Sequence, residues 1–344
     1  MKAMATTKVL SMAVALFGLA VSANGKTERP CARIEFEDMP RQMLYGDPVH
    51  LRKGQPFAKD MTVIRHGGRY LMYYSVCDFP DDKRPKDWIR GRWGTGLAVS
   101  TNLTDWTRIG DIKIEGLPAV YAGAAPCVKK FGGKIHIFHQ QIFKGNNVIW
   151  HATSDDGLTF RCANPEPAFV PHNRWSIERA IDAEVYRVGD RLMLMYATRE
   201  HPTKEVQQLG MAWAPWGSSY DAGTWTEMTL DKPFFKPERT WEMHCIEAPT
   251  VYFRKGIWYL FYAGAYNHEK QQIGVAWSSD GVAFTRYSDH PVFPHGPEGS
   301  WNAAESGHPG IFVDDDEQVY LFFQGKATQD GNYRLSCVKV RFVD

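Results

Sequence analysis

Four short stretches of the chain set a carboxylate or a histidine immediately ahead of an apolar, strand-like run. They are Asp60 in AKDMT, Asp182 in AIDAE, Glu247 in IEAPT and His308 in SGHPG, and a fifth, GAAPC, carries Ala125 and Pro126 at the same place. Three acids in matching positions, far apart in the chain and among apolar neighbours, are a sharper signal than scattered surface acids. The chemistry that uses such a set is glycosidic bond hydrolysis: one carboxylic acid protonates the leaving oxygen while a carboxylate on the other side activates water or attacks the sugar. A third acid raises the proton donor's pKa by like-charge repulsion and keeps it protonated. Taken singly, each acid is equally well read as a strand cap or a site for surface water.

The elements that must bring these residues together repeat five times. Apolar runs flanking a tight turn recur as TVIRHGGRYLMYYS, CVKKFGGKIHIFHQ, EVYRVGDRLMLMYA, TVYFRKGIWYLFYA and GIFVDDDEQVYLFFQ, each with the period-2 pattern of a hairpin. The first four are followed by a second pair of strand-like runs, beginning at Thr95, Val148, Leu209 and Ile273. Turn markers Gly68, Gly133, Gly189, Gly256 and Asp316 are spaced by 65, 56, 67 and 60 residues, so five units use up the chain from residue 24 to residue 344. Four antiparallel strands per unit in five units predict an all-β fold, a single five-bladed β-propeller, with a solenoid as the competing architecture. The last hairpin is followed by one strand only, Leu335 to Phe342, so Ala32 to Phe36 is expected to complete that blade. The clasp would set Cys31 beside Cys337 and motivates a disulfide between them.

Composition narrows the partners. With 40 Lys and Arg against 39 Asp and Glu, the formal charge of +1 gives no footprint for nucleic acid or an anionic membrane. The aromatic load of 12 Trp, 15 Tyr and 19 Phe suits flat apolar faces, sugars included. Lys2 and Lys8, the apolar Val9 to Val21 and the small residues Val21-Ser22-Ala23 predict a signal peptide over residues 1–23 and a secreted or periplasmic protein. No apolar run is long enough to insert in a membrane. The six cysteines contain no C-x-x-C pair, which argues against a zinc or redox motif.

The five hairpin starts, from AKDMTVIRHGGRYLMYYS to ESGHPGIFVDDDEQVYLFF, resemble those of glycoside hydrolase family 43 and its clan relatives, and the resemblance covers nearly the whole chain after residue 23. It implies Asp60 as general base, Asp182 as the residue that tunes and orients the acid, and Glu247 as general acid. It also implies an inverting, exo-acting enzyme that releases arabinofuranose, xylose or a related neutral sugar from an oligosaccharide or polysaccharide. No cofactor is required on this reading, although His308 resembles an axial histidine that in some members helps hold calcium. The sequence departs from the family where Met61 and Ala183, not proline, follow the aspartates, and Glu184 is a rival for the tuning role. Family 32 and family 117 glycosidases are alternatives, as is a non-catalytic propeller that binds glycans or protein. The SDDGLTF and SSDGVAF turns resemble the Asp-box of sialidases, with one residue missing and no arginine triad to accompany them.

Trp175, Trp241 and Trp301 stand six or seven residues before Asp182, Glu247 and His308, where they would stack on sugar or plug contacts between blades. His244, Arg199, Glu200, His201 and Glu305 lie near motif ends and are candidates for contacts to hydroxyls. Two loops, Cys77 to Trp93 and Arg199 to Gln207, are expected to shape the pocket.

Overall fold

A computed structural model describes residues 31–77, 93–117 and 123–344. The expected leader, and most of the Cys77 to Trp93 loop, lie outside the described residues. Five antiparallel sheets succeed one another along the chain. Their innermost strands are Lys59–His66, Ala124–Phe131, Ile181–Val188, Ile246–Arg254 and Glu305–Val313. Each touches the next, and the fifth touches the first, so the ring is closed. The chain is a five-bladed β-propeller.

The strand patterns explain why blades stack. In the second strand of the first blade, Arg69–Cys77, Leu71 and Tyr73 point into a core shared with Ile137 of the second blade. Met72 and Tyr74 point the other way, onto Phe322 of the fifth. The third blade repeats this: Leu194 and Tyr196 pack on Phe138, while Met195 packs on Leu260. Because successive strand residues face opposite sides, every blade feeds two cores, and neither side of a central blade reads as a solvent face. Tyr74, Tyr196 and Tyr262 each lie flat over a glycine of the neighbouring strand, Gly96, Gly210 and Gly274, where an added Cβ would sit within 2.5 Å of the ring. The three hydroxyls reach acids, the buried Asp47 and Glu242 and the half-buried Glu227.

Ring closure is made by the chain's own beginning. Residues Arg33–Asp38 pair antiparallel with Arg334–Val343 and supply the outer strand of the fifth blade. The expected clasp is therefore present, but the expected disulfide is not. Arg33 faces Val343 and Asp38 faces Val338, so Cys31 lies past one end of the pair and Cys337 at the other. That is roughly 26 Å of strand, against the 7 Å or less between Cα atoms that a disulfide tolerates. The sialidase-like turns are structural: Asp156 and Asp280 each accept two backbone N–H bonds and close the strand connection in their blades.

Candidate active site

All five innermost strands open with the same irregularity. The pairing slips by a bulge, and one non-glycine residue takes a left-handed backbone: Asp60 (φ 51°), Ala125 (46°), Asp182 (51°), Ala248 (51°) and His308 (45°). Such a conformation costs about 1 kcal/mol or more for each side chain and is best tolerated by Asp, Asn and His. The bulge re-aims that residue toward the axis. Alanine in the second and fourth blades leaves those sides of the mouth open. The matching of three acids is thereby corrected: Asp60 and Asp182 are equivalent, but Glu247 stands one residue before the bulged position, which Ala248 holds.

Asp60, Asp182, Glu247 and His308 nonetheless converge, all buried, at one mouth of the ring. His308 Nδ1 is 3.0 Å from Asp60 Oδ1, and its Nε2 is 3.5 Å from Glu247 Oε1 and 3.8 Å from Asp182 Oδ2. Asp60 Oδ1 also lies 3.2 Å from the ammonium of Lys59. Neither Asp60 Oδ1 nor Asp182 Oδ2 accepts an aligned hydrogen bond from the protein, so both keep lone pairs for a water or a sugar hydroxyl. The backbone N–H groups of the two aspartates are tied to side-chain amides, Asp60 to Gln324 and Asp182 to Gln140.

Glu247 sits in a cage of amides. Asn267 and Gln271 donate to Oε1 at 2.9 and 2.8 Å, and Gln207 donates to Oε2. Each amide is held the right way round by a second partner: Asn267 accepts from Lys59, Gln207 accepts from Arg179, and Gln271 donates to the Ala265 carbonyl. Burial pushes Glu247 up, but the His308 hydrogen bond and charge, Lys59 and Gln271 outweigh it and hold the carboxyl down at about 2. Asp182 goes the other way, to about 6, chiefly by burial, with Glu247 and Asp60 adding repulsion that His308 partly offsets. Burial lowers His308, yet Asp60, Asp182 and Glu247 carry it up to about 9. Burial and repulsion thus push Asp182 up while the charges and hydrogen bonds around Glu247 pull it down, so the two carboxyls are driven in opposite directions.

Other expectations fall outside this cluster. Glu184 does not compete with Asp182, because the bulge separates their directions; its carboxylate accepts from Lys129 Nζ at 2.9 Å and from Val251 N at 2.8 Å. Glu184 and Lys129 line a channel of about 430 Å³, open end included, whose walls also include Asp60, Asp182 and His308. Trp241 stacks on Tyr262 and covers Gly264 and Gly274, Trp301 tilts on Phe323 over Gly325, and Trp175 donates to the Thr229 carbonyl. Each indole packs against its own surroundings in this way while remaining only partly buried, the arrangement expected of the packing reading. His244 is exposed, and only its carbonyl joins the site's surroundings, accepting from Gln207 N. Glu305 is fully buried and positions Gln324 through a 2.7 Å hydrogen bond.

Asp182, Glu247 and His308 each offer a ligand atom within 4.8 Å of the others, a set that could hold a metal ion. Calcium takes six to eight oxygen ligands, so water would have to complete its shell there.

The sequence profile described as "Glycosyl hydrolases family 43" matches residues 54–336, a span that contains every member of this cluster. The chain belongs to glycosyl hydrolase family 43. Solved structures share the propeller at low identity. A thermostable family-43 glycoside hydrolase is 19% identical over 87% of this chain and 94% of its own, with a TM-score of 0.67. An endo-arabinase from Bacteroides thetaiotaomicron VPI-5482 is 12% identical, over 84% and 96%, with a TM-score of 0.59. An exo-1,5-alpha-L-arabinanase from a bovine ruminal metagenomic library is 14% identical, over 83% and 93%, with a TM-score of 0.56. No curated protein is matched by the sequence. As a family 43 member, the chain is a glycoside hydrolase that needs no organic cofactor.

Several site residues carried no motif of their own. Lys59 precedes the first aspartate, Gln207 opens the third strand of its blade and Gln271 immediately precedes the third strand of its own. The signal for the glutamines was the internal repeat itself, QQLGMAW against QQIGVAW.

Proposed function

We propose that this glycoside hydrolase is exported, exo-acting and inverting, and that it releases arabinofuranose, xylose or a related neutral sugar from an oligosaccharide or polysaccharide. The observation that carries the reading is the placement of Asp60 and Glu247 against opposite nitrogens of one imidazole, at 3.0 and 3.5 Å, in the mouth of the ring. A ring and two contacts between the carboxylates suit the roughly 6.5–9.5 Å that inversion needs, in contrast to about 5–5.5 Å for retention. Export rests on the leader pattern of residues 1–23.

Asp60, through its unfilled Oδ1, takes a proton from a water as the water oxygen bonds to the anomeric carbon. The glycosidic C–O bond breaks on the opposite face, and the leaving oxygen takes a proton from Glu247. His308, 3.5 Å from Glu247, and Asp182, 3.8 Å from His308 Nε2, stand where they can supply that proton to Glu247. Sugar binding favours this transfer by excluding water and so penalising the bare carboxylate.

Leaving-group dependence tests the roles. Glu247→Gln should abolish turnover of unactivated glycosides and spare activated aryl glycosides, while Asp182→Asn should slow both. If Asp182→Asn alone showed the dependence, Asp182 would be the proton donor. A panel of aryl arabinofuranosides, xylosides, galactosides and fructosides tests the sugar, and no hydrolysis of any of them would leave the non-catalytic, glycan-binding propeller in its place.

A further inference from the structure

Two arginines beside the acid cage have no acid of their own. Arg179 and Arg199 come from the third blade: Arg199 ends its second strand, and Arg179 precedes its first. Arg199 is the strand partner of Gln207, and Arg179 Nη1 donates to Gln207 Oε1 at 2.8 Å. The guanidinium of Arg199 lies 5.2 Å from the ring centre of Tyr266, and its buried Nε has no hydrogen-bond partner. Among the described residues neither arginine forms an ion pair. Every other cation at the mouth does: Lys59 meets Asp60, Lys326 meets Glu305, and His308 meets three carboxylates. Burial and then the repulsion of Arg199 lower the pKa of Arg179, and the attraction of Asp182 and Glu247 offsets this only in part. Repelling, partly buried guanidiniums without a direct ion pair are costly to hold together, and an anion that joins them relieves that cost. A carboxylate or sulfate fits their fork geometry with two parallel hydrogen bonds.

The pair lies behind Gln207, which touches Glu247. A residue that protonates the leaving oxygen faces the sugar beyond the bond being cut, so this wall meets the leaving portion of the substrate. We propose that Arg179 and Arg199 form a subsite for an anionic group, the carboxylate of a uronic acid or a sulfate ester, on the sugar next to the one released. This deepens the reading given under Proposed function and rests on it for the direction in which the substrate lies. The neutral sugar is removed from an acidic backbone or from a branch that carries acid units. Tyr266, whose hydroxyl is tied to the Glu205 carbonyl at 2.8 Å, holds the Arg199 side chain against this wall.

Equilibrium titration of the intact protein with trigalacturonate, a sulfated galactotriose and unmodified galactotriose tests the subsite. One anionic oligosaccharide is expected to bind at least about tenfold more tightly than galactotriose, with a preference that weakens as salt is raised. Which of the two wins distinguishes the carboxylate from the sulfate. In Arg179→Gln and in Arg199→Gln the preference should shrink to about twofold or less; Arg199→Lys serves if the glutamine variants do not fold, and should retain part of it. Equal binding of all three, or a preference that survives both substitutions, would overturn the subsite. Hydrolysis of neutral arabinofuranosides without any anion preference would leave the enzyme standing and remove the subsite. The anion preference without hydrolysis of any glycoside would do the reverse.

Discussion

His308 and Asp60 face each other across the first and fifth blades, 3.0 Å apart, and both hold left-handed backbone at the bulges that open their strands. The contact spans the seam where the ring closes. The candidate site and closure of the fold are thus joined in one pair.

That pairing makes stability depend on pH. His308 is raised from its ordinary 6.5 to about 9, so its ion pairs stabilise the fold fully below about pH 6.5 and lose that contribution as pH rises through about 9. The gap in melting temperature between the natural chain and His308→Gln should be widest near pH 6 and close by pH 10. Its ceiling is about 3 kcal/mol. A gap constant across this range would show that His308 is neutral. Glu247, held low, adds the opposite limb, with stability lost as pH falls from its ordinary 4.5 toward 2.

Asp60→Asn removes the base and leaves the contacts of the backbone in place. The value of kcat/KM should fall by about 10²- to 10⁴-fold, the usual contribution of a positioned base. Steady-state rates on the best substrate of the aryl panel check this, and a loss under tenfold would move the base elsewhere.

If Trp241 is a strut, Trp241→Ala should lower stability by about 3 kcal/mol, since the indole covers Gly264 and Gly274 and lies against Tyr262. Denaturant unfolding reads the loss, while KM should change by less than about twofold. A large rise in KM with unchanged stability would return Trp241 to the sugar.

In the axial channel, Lys129→Met strands the buried carboxylate of Glu184 and should cost about 3–5 kcal/mol. Adding Glu184→Gln should recover much of it, because the lost partner was a charge. A double variant as unstable as the single one would show that packing, not the ion pair, sets the cost.

The five hairpins and their closing clasp were legible because alternation and turn glycines repeat at every blade. The convergence of Asp60, Asp182 and His308 followed from that repeat. What stayed hidden arises where the repeat is broken or where a side chain's role depends on its neighbours. The offset of Glu247 by one residue comes from where the bulge falls, which residue types alone do not set. Its lowered pKa depends on His308, Lys59 and Gln271, which reach it from the fifth blade, the first blade and a loop, and on the Ala265 carbonyl that orients Gln271. The tryptophans were ambiguous because an indole that stacks on sugar and one that covers a glycine look alike in sequence; only the distance to Gly264 or Gly325 separates them. The cysteine pairing failed on register, since neighbouring strands do not imply neighbouring residues.

The strand Arg33–Asp38 finds its partner only in Arg334–Val343, almost the whole chain away. During synthesis this early segment must therefore wait, unpaired, until the last residues leave the ribosome, while the four intervening blades assemble on one another. Loss of Arg33–Asp38, or of the last residues of Arg334–Val343, would expose the N–H and C=O groups of a long strand edge, an open template for pairing with other copies. The seam is where proteolysis or truncation should first convert this protein into aggregate.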